Sequence, residues 1–332
     1  MSNGYALFAK ETTYGTAPAS GWRELEVVSD GHKTRQETLP YKGIGSRRGA
    51  PASTNRRIID KGGEGAIEVG AFANGLGILL RAAASTATSA VVDGGTLAYE
   101  QVFTWTGAGV PAGRSFSAEF YRDRRSGTLD AFTYSGGKVT QLEIGSDLDK
   151  HVMFKFAVDY LTAVRQSVLP TRSPAVVVPD FIYAWPDGTH TLTPAGGSGA
   201  DACIQSYSAT LPNELDTEDW CLKAGSTRHE PSIKGEPAPT GTLTWRYEAP
   251  TYYDAFRAGT IFSLSSLWEA EDAIEDTTLP SLKVELPAIR FTGEDPELSE
   301  SDRTMQNLPF EVLDNGTDPV CRITIVTSDT DF

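Results

Sequence analysis

Apolar residues alternate with polar ones along most of this chain. Val152, Phe154, Phe156, Val158 and Tyr160 share one face of a run whose other face carries Met153, Lys155, Ala157, Asp159 and Leu161. A period of two marks a strand with one side on a core. Phe116, Ala118 and Phe120 repeat the pattern, as do Tyr99, Phe103 and Trp105 with Gln101 between them. Further along come Leu243, Trp245 and Tyr247, then Leu282, Val284 and Leu286, then Cys321, Ile323 and Ile325. Gly (32) and Pro (19) fall mostly between these runs, where turns use them. Two stretches read as helix: Ala71 to Ala84, and Pro250 to Ala258, where a proline suits the first turn. The fold class is therefore all-β, with one short helix in each half.

The 332 residues suit two domain-sized units. Residues 165–180 hold Pro170, Pro174 and Pro179. Proline removes backbone donors, so this piece is expected to run extended as a linker between a first domain, 1–164, and a second, 181–332. Ala82 to Thr96 and Pro194 to Ala200, of low complexity, are expected as mobile surface segments.

The two halves can be laid over each other. Gly45, Ser46, Arg48 and Pro51 match Gly225, Ser226, Arg228 and Pro231 at an offset of 180. At 176, Gly65, Ile67 and Val69 fall on Gly241, Leu243 and Trp245, and Arg81 and Ala82 on Arg257 and Ala258. At 156, Phe154 and Phe156 fall on Phe310 and Val312. Shared order and strand phase point to a tandem duplication.

Charge narrows the function. Lys and Arg total 29 against 44 Asp and Glu, a net of −15, and such a surface repels a nucleic-acid backbone. Three cysteines at wide spacing make no disulfide framework. The opening residues lack a basic-then-apolar leader, which argues against export by that route. The most apolar stretch, Ala71 to Ala84, is too short to span a bilayer.

Catalytic patterns are weak. The four histidines are far apart, with no His-Glu-x-x-His or Cys-x-x-Cys, so a metal has no spacing support. No Gly-x-Ser-x-Gly elbow occurs. Gly43 to Ser46 reads as a turn, as does Asp314 to Asp318, and the carboxylates from Glu269 to Asp276 read as a solvated segment. No cofactor and no enzymatic activity are expected.

At the level of motifs the chain resembles a known family. Ala9-Lys10-Glu11-Thr12-Thr13-Tyr14-Gly15-Thr16-Ala17, Thr133-Tyr134-Ser135-Gly136-Gly137-Lys138-Val139 and Gln306-Asn307-Leu308-Pro309-Phe310-Glu311-Val312 look like segments of major tail tube proteins of long-tailed, siphovirus-like bacteriophages. The resemblance implies tandem tail-tube β-sandwich domains whose sheets join between neighbours into rings, stacked as a tube that conducts the genome. It also implies a place in the virion tail after assembly in the host cytoplasm. Implied partners are other copies of the chain, the tape measure, tail terminator and tail tip proteins, and DNA that passes without tight binding. This chain is about twice the length of one such sandwich, so three chains are expected per ring, in pseudo-six-fold array. An acidic lumen is expected to repel the passing DNA.

Residues 22–61 carry nine Lys and Arg against five acids, whereas residues 268–332 carry 16 acids against four basic residues. Opposite patches can set orientation between stacked rings. Arg47, Arg48, Arg56 and Arg57, in the segment Thr38 to Gly62, are the expected stacking contacts. The alternative reading is a β-sandwich binding module, an adhesin or carbohydrate-binding protein, with tryptophans that stack on sugars.

Overall fold

The computed structural model describes residues 4–40, 56–92, 94–107, 109–176, 181–220, 228–247, 249–293, 295–296, 304–330 and 332. Among the described residues twenty strands and two short α-helices follow one another. The first half contributes β1 (Tyr5–Lys10), β2 (Arg23–Leu25), β3 (Ser29–Asp30), β4 (Lys33–Pro40), β5 (Arg56–Gly70), α1 (Gly77–Ala83), β6 (Thr86–Val91), β7 (Tyr99–Trp105), β8 (Phe116–Asp123), β9 (Leu129–Asp147), β10 (Met153–Tyr160) and β11 (Thr162–Arg165). After β12 (Ala175–Val176) come β13 (Gly188–Pro194), β14 (Ala200–Asp201), β15 (Ile204–Pro212), β16 (Thr240–Arg246), α2 (Thr251–Ala258), β17 (Ile261–Glu269), β18 (Ser281–Phe291), β19 (Met305–Val312) and β20 (Cys321–Thr327).

A long antiparallel sheet runs β4–β5–β10–β9–β15–β16–β19–β18. Two further sheets lie against it. One runs β12–β2–β1–β8–β9–β11, the other β14–β13–β17–β18–β20–β7–β6. β9 and β18 each belong to two sheets, because their first residues pair in a covering sheet and their last in the long one. Aromatic rings meet across each interface. Phe116 and Tyr134 sit 5.9 and 5.1 Å from Tyr160, and Tyr207 sits 6.2 Å from Trp268. The result is a β-sandwich whose alternating apolar faces form one continuous core. β8 is buried on both faces, and its second face joins Leu7, Ala9 and Trp22 in a small satellite core.

The pairings follow the same scheme in each half. β5–β10, β10 with the end of β9, the start of β9 with β11, β9–β8 and β8–β1 recur as β16–β19, β19 with the end of β18, the start of β18 with β20, β18–β17 and β17–β13. Register refines the sequence alignment. Ile67 faces Phe156 as Leu243 faces Leu308, so these late strands correspond at an offset of 152 rather than 156. Gly65 and Gly241 have a common reason. A Cβ on Gly65 would meet the His32 ring at 2.7 Å, and one on Gly241 the Phe310 ring at 2.1 Å.

Three local expectations change. Thr86–Val91, inside the segment expected as a mobile loop, is a strand paired along its length with β7. It is nearly all exposed, so it shows no apolar alternation that would mark it. The first helix starts only at Gly77, because the backbones of Ala71 and Ala73 bond those of Tyr183 and Phe181. The proline-rich segment does not merely bridge: Ala175–Val176 pairs in parallel with β2. Arg172 reaches Glu119 at 2.9 Å and lies over the Trp22 ring. The sheets also run on across the segment, since β15 pairs with β9 and β20 with β7.

Candidate assembly surface

The face of the long sheet turned away from the core is polar. Cross-strand register aligns Ser29, Glu68, Lys155, Glu143, Thr210, Thr240, Glu311 and Arg290 in one row across the strands. Strand alternation places Ser206, Ser208, Thr242 and Thr244 on the same face. Cations stand beside carboxylates: Lys155 to Glu143 at 3.2 Å, Lys33 to Glu64 at 2.9 Å, and Arg290 Nε to Glu311 at 2.7 Å. The excess of acid lies elsewhere, in exposed turns such as Glu271–Asp272 and Asp314–Asp318.

Among the described residues the two ends of this sheet differ. Among the described residues β4 pairs only with β5. At the far end β18 pairs with β17 at Ile289 and Arg290 and with β19 over Ile289–Phe291, and beyond Phe291 no further strand pairing occurs among the described residues, whereas β9 meets β10 from Met153 to Asp159. Between the halves the corresponding gap is filled, because β15 occupies the edge of β9 beyond its last pair with β8.

The segment that follows β15 seals that junction with charge. Arg228, whose side chain is fully buried, bonds Asp159 of β10 and donates to the Thr217 carbonyl at 2.6 Å. Arg35 approaches the same carboxylate at 3.0 Å. Glu230 pairs with the buried Lys138 of β9 at 2.6 Å. Asn213 donates to the carbonyls of Ala83 and Val139, both at 2.9 Å, which closes the end of α1. Burial pushes the Asp159 carboxyl up against the pull of Arg228 and Arg35. It pulls the Lys138 ammonium down against Glu230. Burial also lowers His32, and holds His190 down at about 4 beside Trp268.

Of the expected stacking residues, Arg47 and Arg48 lie outside the described residues. Arg56 opens β5 opposite Pro40, and Arg57, exposed, stands opposite Leu39. The β4–β5 ribbon continues past Gly63, the last residue of β5 paired with β10, so it projects beyond the sheet. The buried pairs Arg228–Asp159 and Lys138–Glu230 went unmarked in the sequence reading. In the sequence Arg228 shows only as a match to Arg48, Lys138 only within the Thr133–Val139 motif and Asp159 only as a polar strand position.

The tryptophans do not form a sugar platform. Trp22, Trp105, Trp245 and Trp268 are buried, Trp220 is half-buried, and Trp185 alone is exposed. The described residues hold no group of three His, Cys, Asp or Glu placed to bind a metal, and no helix among them is long and apolar enough to cross a membrane. Asp314 to Asp318 is a turn, with Asn315 accepting from the backbone of Thr317 and Asp318. Glu275, within the expected solvated segment, instead accepts backbone bonds from Thr96 and Leu97 at 2.8 Å.

A family model described as phage tail tube protein matches residues 1–312. No curated protein matches the chain.

Proposed function

Because the chain belongs to the phage tail tube protein family, a structural component of the virion tail, we propose that three copies close into a ring with six quasi-equivalent positions. The recurring pairing scheme carries this reading, together with β4, which among the described residues pairs only with β5. The domains 1–164 and 181–332 then act as two tube-like units. β3 and the start of β4 of the next chain take at the end of β18 the place that β15 takes at the end of β9. A head-to-tail contact of this kind closes when its rotation divides a full turn, and closure removes exposed edges.

In this reading the polar face of the long sheet is the lumen wall, and DNA passes along it during ejection. Tight DNA binding needs cations free to neutralise phosphates. Here Lys33, Lys155 and Arg290 each sit on a carboxylate, among serine and threonine hydroxyls. The acidic character expected of the lumen rests on Glu64, Glu68, Glu143 and Glu311 of this face, while most of the excess acid of the chain lies in exposed turns. The projecting ribbon, with Arg56 and Arg57, and the residues Arg47 and Arg48 between its two strands in sequence, reach the acidic turns of the next ring. Assembly in the host cytoplasm, a tape measure inside, a terminator at one end and a tip complex at the other complete the proposal.

Electron microscopy of the concentrated protein tests it. Hollow rings or tubes are expected. Compact monomers at every concentration, also beside a purified tail tip, contradict it.

A further inference from the structure

A cavity of about 300 Å³ opens at one end of the second half, walled by the start of β13, the end of β9 and the start of β15, with Trp185 on its rim. That volume lies at the small end of the range for ligand pockets and suits a single-ring ligand. Gly188 and His190, two positions apart on β13, both line it. Register sets Gly188 opposite Trp268 of β17, and the absent side chain lets the indole lean across the strand. A Cβ on Gly188 would stand 2.7 Å from Trp268 Nε1 and 3.2 Å from His190 Nε2. Both nitrogens therefore converge on the space that this glycine leaves in the cavity wall. Trp268 is fully buried, and its Nε1–H has no hydrogen-bond partner among the described residues. A buried donor left unpaired costs stability and calls for an acceptor. His190 Nδ1 is engaged with Ser266 Oγ at 2.9 Å, so Nε2 is the ring nitrogen left for the cavity.

We propose that this cavity binds a neutral sugar, its ring against Trp185 and one hydroxyl held between Trp268 Nε1 and His190 Nε2. A hydroxyl suits both nitrogens, because it accepts from the indole N–H and donates to the imidazole at the same time. The matching tautomer has His190 Nδ1–H donating to Ser266 Oγ. An anion is disfavoured, since Asp147 and Asp201 stand on the wall and burial keeps His190 uncharged at neutral pH. An ammonium is disfavoured too, since it cannot accept from the Trp268 N–H. Trp185, 44% exposed, offers a flat apolar surface to the C–H face of a pyranose. A single tryptophan is no platform by itself; the cavity supplies the remaining recognition through its hydrogen-bonding groups, with the Gln205 amide beside Asp201 on the wall. The site lies within one chain, so it stands whether or not three chains close a ring.

The test follows the indole N–H signals of the isotope-labelled chain by NMR while methyl glycosides of glucose, galactose, mannose and N-acetylglucosamine are added one at a time. At least one of them is expected to move the Trp185 and Trp268 signals saturably, with the remaining tryptophans unmoved. Gly188→Ala, whose Cβ takes the place of the hydroxyl, is expected to abolish binding. Trp185→Ala, read on the Trp268 signal, is expected to weaken it about ten-fold. No saturable shift with any of these sugars, or an affinity unchanged by Trp185→Ala, overturns the site and leaves only a water to pair with Trp268. Should Gly188→Ala fail to fold, Trp185→Ala decides alone, because that side chain is exposed and lies outside the strands.

Discussion

The two helices occupy equivalent places in the repeat and live in different surroundings. Six of the seven residues of α1 are buried, whereas no residue of α2 is. α1 is closed by side chains from elsewhere, with Asn213 on its last carbonyl and Gln101 and Phe332 against Gly77. α2 has Tyr252 on Trp245, 4.2 Å between ring centres, and a Gly259 cap with φ of 66°. The acid–base pairs differ in the same sense, buried in the first half and exposed in the second. The buried pair, Asp159 and Lys138, is covered by the segment after β15, from the other half, whereas α1 packs mainly on β9, β1 and β7 of its own half with Asn213 closing its end.

Substitutions should register that difference. Arg228→Ala is expected to cost about 3–5 kcal/mol, because Asp159 stays buried with one fewer partner; urea unfolding measures it. Leu79→Ala, in the covered helix, is expected to cost about 3 kcal/mol. Phe256→Ala in α2 should cost clearly less in the unassembled chain, and equal losses would break the comparison.

Acid should weaken the fold through the second half. His190 titrates at about 4 in the folded chain against 6.5 in its ordinary state. The unfolded chain therefore takes the proton first, and stability falls as pH drops from 6.5 towards 4. By pH 5 the loss is expected to reach about 2 kcal/mol. His190→Gln should flatten that slope in unfolding curves measured across the window, with His32 supplying the remainder. The smallest effect belongs to the exposed pair. Glu311→Ala is expected to change the stability of the unassembled chain by less than about 1 kcal/mol.

Much of the fold was legible in the residues. Strands such as β10, β18 and β20 show their buried faces directly, because one side meets the core and the other water. β6 was not legible, since its Thr, Ser and Ala residues are solvated on both faces and only the β7 backbone defines them as a strand. The shortened α1 was hidden as well, because the backbones of Phe181 and Tyr183 claim its expected first turn from more than 100 residues away in sequence. At the assembly surface, Arg228 was visible as one member of a repeat, but not as the buried partner of Asp159, because that contact joins a loop to a strand 69 residues away in the chain.

The most direct measurement is the mass of a single closed ring by native mass spectrometry under conditions where rings do not stack. Three times the 35.7 kDa chain mass is the expected result, with each half filling one of six positions. A ring of six chains would contradict the account, because the junction between halves would then not stand in for the junction between chains.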